Sequence, residues 1–182
     1  MQQLWELSSG GDNRFRAYVF PTPDELRAGV FEVDGRAKHW PSPPRITPFI
    51  DKKRKKQLPL PDIGWLLPGT IILNPTAYAA LKDILLRFGE FLPLACDDQV
   101  CYFYNVTTLV DCIDEAASVS IGGCITQAVF AQAAVPNGVQ IFKDPHTVRT
   151  SIYLTEAARG MLEAVIAEKN LTGLRFFAAG AE

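Results

Sequence analysis

Histidine is scarce in this 182-residue chain, with His39 and His146 the only two. The cysteines do not make up for it. Cys96, Cys101, Cys112 and Cys124 form no closely paired unit and have no histidine near them in sequence, whereas structural zinc needs short paired spacings and four donors. Neither a metal nor a cofactor is expected, and the thiols read as small buried hydrophobes. An excess of one charge is also missing. Lys and Arg total 18 against 20 Asp and Glu, for a net charge of -2. A dedicated nucleic-acid binder would present a dominant basic face, so none is expected here. Long apolar runs are absent too. Pro68, Pro75 and Pro93 interrupt the longest ones, which leaves no segment able to span a bilayer. The start, Met1-Gln2-Gln3-Leu4-Trp5-Glu6, lacks the basic and apolar regions of an export signal. A cytoplasmic location without membrane contact is the expectation.

Catalytic signatures are equally thin. No G-x-S-x-G elbow, P-loop or dinucleotide glycine fingerprint occurs. Gly122-Gly123 is an isolated pair that reads as a turn. Asp144, His146 and Ser151 contain the residue types of a triad, but they lie around Pro145 with nothing in the sequence to orient them. Together these absences favour binding over catalysis, with a small enzyme using His146 as the alternative.

What the chain does have is the balance of an ordinary globular protein, 48% hydrophobic and 21% charged. A chain of this length can bury roughly 70% of its unfolded surface without a disulfide or metal. Residues 1–68 are expected to supply N-terminal strands and an arm packed on the same domain as 69–182. Phe15, Ala17 and Val19 alternate as a strand until Pro21 and Pro23, then Asp24-Glu25-Leu26 suits one helical turn and Val30 to Val33 a second strand. Seven of the thirteen prolines fall in 41–68, with the basic run Lys52-Lys53-Arg54-Lys55-Lys56. Proline withholds a donor and disfavours helix before it, so this stretch reads as a surface loop with little regular structure.

Residues 69–182 carry clearer signals. Ile71 to Leu73 reads as a strand. Asn74 then caps a helix that opens on Pro75 and runs to Phe88, where Gly89 stops it. Tyr78, Leu81, Leu85 and Phe88 make its buried stripe. Glu90 to Ala95 and Val100 to Val106 form a hairpin. A turn closed around Asp98-Gln99 would set Cys96 opposite Cys101, where oxidation is possible but unusual in a reducing cytosol. Ala128 to Ala134 and Val139 to Phe142 read as strands around Pro136-Asn137-Gly138. Strand Ser151 to Leu154, cap Thr155, helix Glu156 to Lys169 and strand Leu174 to Phe177 then echo the first module, with Ala158, Met161, Leu162, Val165 and Ile166 facing inward. The expected fold is α+β, a mixed β-sheet with two principal amphipathic helices packed on it and a Pro-rich surface arm.

Several short pieces recur in order. They are Pro61-Asp62-Ile63, Gly89 to Leu94, Tyr102 to Thr107, Val110 to Glu115 with Ser118, Gly138 to Lys143, Ile152 to Glu156 and Leu171 to Phe176. In sequence and spacing they resemble immunity-protein family eleven of bacterial polymorphic toxin systems, formerly a domain of unknown function. The resemblance spans roughly residues 60–178, with Cys112 and Ile113 departing from the small residue and leucine of the pattern. It implies an α+β immunity-type core over 69–182 and a protein that binds and neutralises a cognate toxin. It carries no catalytic residue. A secretion adaptor or chaperone for the toxin, which would bind it and leave it active, is a rival reading, and the choice between monomer and homodimer stays open. For such an interface, Asp97, Asp98, Asp111, Asp114 and Glu115 suit a basic toxin surface. Trp40 and Trp65 are candidate anchors, weighed against the core positions that tryptophan also fills.

Overall fold

A strand whose successive residues are all buried must be covered on both faces, and Ile71, Ile72 and Leu73 meet that condition. In the computed structural model, which describes residues 2–8, 13–27, 31–53, 55–97 and 99–180, they form β5 (Ile71–Leu73) inside a six-stranded sheet. Its order is β2 (Tyr18–Val19), β3 (Arg45–Pro48), β6 (Gly89–Cys96), β7 (Gln99–Val106), β5 and β4 (Ile63–Gly64). Only β3 with β6 is parallel. A second, wholly antiparallel sheet has the order β10 (Ile141–Phe142), β11 (Tyr153–Thr155), β1 (Leu4–Ser8) and β12 (Arg175–Ala178). A separate hairpin joins β8 (Val119–Ile121) to β9 (Cys124–Gln127). The protein is thus mixed α/β and mostly strand, with three helices among the described residues: α1 (Pro23–Arg27), α2 (Pro75–Leu85) and α3 (Glu156–Lys169).

Three apolar clusters explain how these parts stack. The largest unites Ala77, Leu81 and Leu85 of α2, Ala158 and Leu162 of α3, Leu73 and Tyr104 from the six-stranded sheet, and Leu7 and Leu154 from the other. Both helices therefore share a core with both sheets, and the expected single sheet is instead divided in two. The reason lies far apart in sequence: β1 at the N-terminus pairs with β11 and β12 near the C-terminus, a long-range match that local pattern does not encode. A second cluster covers the far side of the six-stranded sheet, where Tyr18, Phe31, Trp40 and Leu66 meet Phe103, Cys101 and Leu94. The third covers the far side of the four-stranded sheet, where Cys112, Ile113 and Val135 lie over Leu4, Phe142 and Tyr153.

Local rules hold at the helix starts. Asn74 accepts from the Ala77 amide at 2.8 Å and Thr155 from that of Ala158 at 3.4 Å, with Pro75 at the first turn of α2. α2 ends at Leu85, short of Phe88, because the buried Tyr104 hydroxyl donates to the Leu85 carbonyl and Phe88 turns back to the same oxygen. Gly89 then opens β6, where a Cβ would lie 2.2 Å from the Asn105 carbonyl.

Other expectations need correction. Residues 41–68 contain β3 and β4 and are not simply a surface arm. Pro44 offers its carbonyl to Ala95 at 2.9 Å, which needs no N–H, and Pro48 ends β3 opposite Tyr18. Residues 31–33 form no strand. Phe31 and Val33 are buried as irregular cover, and Val30 lies outside the described residues. Residues 128–134 form no strand beyond a bridge at Phe130, and strand is found instead at β8 and β9 around Gly122-Gly123. Both glycines take positive φ, 59° and 80°, as a tight two-residue hairpin turn requires. The β6–β7 hairpin closes one residue earlier than expected, so Cys96 faces Gln99 and Cys101 faces Leu94. The two buried thiols meet diagonally: Cys96 is hydrogen-bonded to Cys101, which together with burial holds its thiol well above the ordinary range. No helix among the described residues is long and apolar enough to cross a membrane.

Candidate functional site

From Leu109 to Ser118 the chain crosses the outer side of the four-stranded sheet without forming a helix or a long strand, so other groups must fix it. Val110 N donates to Lys143 O and Lys143 N to Thr108 O, both at 2.9 Å. Asp144 does the rest. Its fully buried carboxylate accepts the amides of Cys112 and Ile113 on Oδ2 and that of His146 on Oδ1, each at 2.8 Å. One side chain thereby ties the 110–113 segment to the short 3-10 turn Pro145–Thr147. The Cys112 thiol sits against the same carboxylate, and burial followed by that charge pushes it up to about 12.

The next turn is equally constrained. Asp114 Oδ1 accepts from the Ala117 amide at 3.1 Å, the Ser118 hydroxyl donates to Asp114 O at 2.6 Å, and Asp114 N donates to Val129 O at 2.8 Å. A rigid loop therefore holds Asp111 and Glu115 outward, their side chains 73% and 71% exposed. Between them stands the His146 imidazole, with Nε2 3.7 Å from Asp111 Oδ1 and Nδ1 3.7 Å from Glu115 Oε2. Beyond this loop the β8–β9 hairpin projects with all of β8 exposed, Ile121 reaching 69% and Val119 48%. Acidic groups and an aliphatic tip thus lie on consecutive stretches of one buttressed segment.

The expected site residues do not all belong to this surface. Asp111, Asp114 and Glu115 come together there, joined by His146. Asp97 is exposed in the turn between β6 and β7, in the other sheet, with a positive φ of 47°. Asp98 lies outside the described residues. Trp40 must be corrected. It is buried, with its ring 5.1 Å from that of Phe31 and 5.6 Å from that of Phe103, so it fills the core and offers nothing to a partner. Its spacing fits no helical stripe because the segment is irregular cover over a sheet. Trp65 is 37% exposed. Lys52, Lys53, Lys55 and Lys56 are exposed on a loop pinned by Asp51 and Gln57, and Arg54 lies outside the described residues.

Asp144, His146 and Ser151 do not assemble as a triad. Asp144 accepts the backbone N–H of His146 instead of a ring proton, and the Ser151 hydroxyl is engaged with Glu6. Asp111, Asp144 and His146 place one potential ligand atom each within 4.8 Å of one another. A cation there would compete with the backbone amides already on Asp144. The hairpin was missed by sequence reasoning, although Val119-Ser120-Ile121 and Cys124-Ile125-Thr126 flank a Gly-Gly pair and alternate as a hairpin should. A comparison of the chain with protein-family models finds no match, and one with curated proteins finds none either.

Proposed function

We propose that this chain is an immunity protein that binds a cognate bacterial toxin in the cytoplasm and blocks it by covering its working surface. The observation that carries the reading is the 111–127 segment, in which an exposed aliphatic tip adjoins exposed carboxylates on a loop held by buried hydrogen bonds. An apolar centre with a polar rim is the usual anatomy of a docking surface. A loop already fixed by Asp144 loses little freedom on binding, so more of the contact energy appears as affinity. The carboxylates favour a basic partner and mainly raise the rate of encounter. The ordered run of short motifs resembling immunity-protein family eleven supports the same assignment. A stable complex would bury about 1,600 Å² in total.

The test is inhibition and binding with the toxin encoded beside this gene. Wild type should associate with the toxin and abolish its activity. Asp111→Lys with Glu115→Lys should slow association at low salt, while Ile121→Asp should speed dissociation. A complex in which the toxin stays fully active would indicate an adaptor instead. Unchanged affinity in all these variants would reject this surface.

A further inference from the structure

A negative charge taken out of water needs a counter-charge or a dense set of donors. Glu6 has little of either. It lies in β1 on the face of the four-stranded sheet that the 110–135 layer covers, opposite Tyr153 of β11. Burial raises its carboxyl above the ordinary range, and the hydrogen bond with the Ser151 hydroxyl offsets this only in part. No Lys, Arg or His among the described residues pairs with it. In front of it opens a cleft of about 180 Å³ lined by Glu6, Thr126, Gln127, Thr147, Ser151 and Tyr153, among others. At ~30 Å³ per water, that is room for several waters or one long side chain. The hydroxyls are already linked, Thr147 to Tyr153 at 3.1 Å and Tyr153 to Ser151. Each hydroxyl oxygen still has accepting capacity.

We infer that this cleft is a receptor for a guanidinium group, with the Glu6 carboxylate as its counter-charge and the hydroxyls of Ser151, Thr147 and Tyr153 as additional acceptors. A guanidinium presents five N–H donors in a plane and no acceptor, which suits a pocket with one carboxylate among several oxygens. An ammonium would leave more of those oxygens unmatched. The cleft is placed to serve the docking surface. β9 forms one wall, and Thr147 follows His146 directly in the chain. The inference rests on the docking reading for the source of the group, which is an arginine side chain of the basic partner.

The experiment needs no toxin in its first arm. N-acetyl-argininamide is titrated into the whole protein while backbone amide resonances are followed by NMR. Saturable shifts at Thr126, Gln127, Ser151 and Ala179 are expected. Glu6→Gln should weaken binding at least tenfold, and Thr126→Trp, at an exposed position on the cleft wall, should block it if the first variant proves unstable. The uncharged citrulline analogue should not bind. Equal binding of the lysine analogue would overturn the guanidinium assignment, and absence of shifts at those amides would overturn the site. In the second arm, saturating N-acetyl-argininamide should weaken the toxin complex. Binding to the cleft without competition would overturn the partner as source while leaving the site intact. A toxin that never binds at all would refute the docking reading on its own.

Discussion

Lys143 is fully buried, and its Nζ donates to the Gly69 carbonyl at 2.7 Å and the Val148 carbonyl at 2.8 Å. A neutral amine has two N–H bonds, so these two acceptors satisfy it. An ammonium would bring a third donor and a full charge into the same space. Burial accordingly lowers its pKa from 10.5 to about 7, with the charge of Asp34 pulling weakly the other way. Because the folded value lies below the unfolded one, the unfolded chain holds more protons between pH 7 and 10.5, and stability must rise with pH across that window. Linkage between these two values amounts to about 2 kcal/mol gained from pH 6 to 8.5. Lys143→Met keeps the length and apolar contacts but removes the titration. Urea unfolding of both proteins at pH 6, 7 and 8.5 isolates the effect, since every other titrating group is common to the pair. With a slope of about 2 kcal/mol per molar urea, the wild-type midpoint should climb by about 1 M relative to the variant. Parallel pH profiles for the two proteins would refute the argument that this lysine is buried as a neutral amine.

Removing the Asp144 carboxylate with Asp144→Ala strands the two buried amides of Cys112 and Ile113 and the half-buried one of His146, and should cost about 3 kcal/mol in urea unfolding. It should also raise hydrogen exchange at Cys112 and Ile113 before global unfolding. Asp62 accepts from the Thr172 amide and hydroxyl and from the Asn74 side chain. Burial alone would raise its carboxyl, yet these bonds hold it below the usual range. Its contribution should therefore be present above pH 4 and fade as pH falls below it, and in Asp62→Asn that component of acid sensitivity should vanish. Gly173 has φ of 98°, and a Cβ there would lie 2.1 Å from the Ile63 carbonyl. Gly173→Ala should lower stability by about 2 kcal/mol or more, read from its thermal midpoint. Under native conditions a thiol reagent should modify Cys124 quickly. Cys96, Cys101 and Cys112, all buried, should react only on unfolding.

The parts of this protein written into its sequence are those governed by neighbours a few residues apart. Asn74-Pro75 and Thr155-Glu156 open helices because a side-chain oxygen can reach an amide three residues on. The alternation in 90–106 becomes a hairpin because its two strands are joined by two residues, although the position of that turn, and with it the facing of Cys96, was set by packing on either side. The acidic triplet Asp111, Asp114 and Glu115 was visible as composition. That His146 stands between two of its members was not, since the connection runs through a buried carboxylate 31 and 32 residues away from the amides it accepts. The same holds for Trp40, whose place in the core depends on Phe31 and Phe103 arriving from elsewhere, and for Glu6, which shares a cleft with Ser151 only because β1 pairs with β11. Local chemistry decides which elements form. Which of their side chains meet is decided by long-range strand pairing, because a pleat carries one period along the strand and no label for its partner.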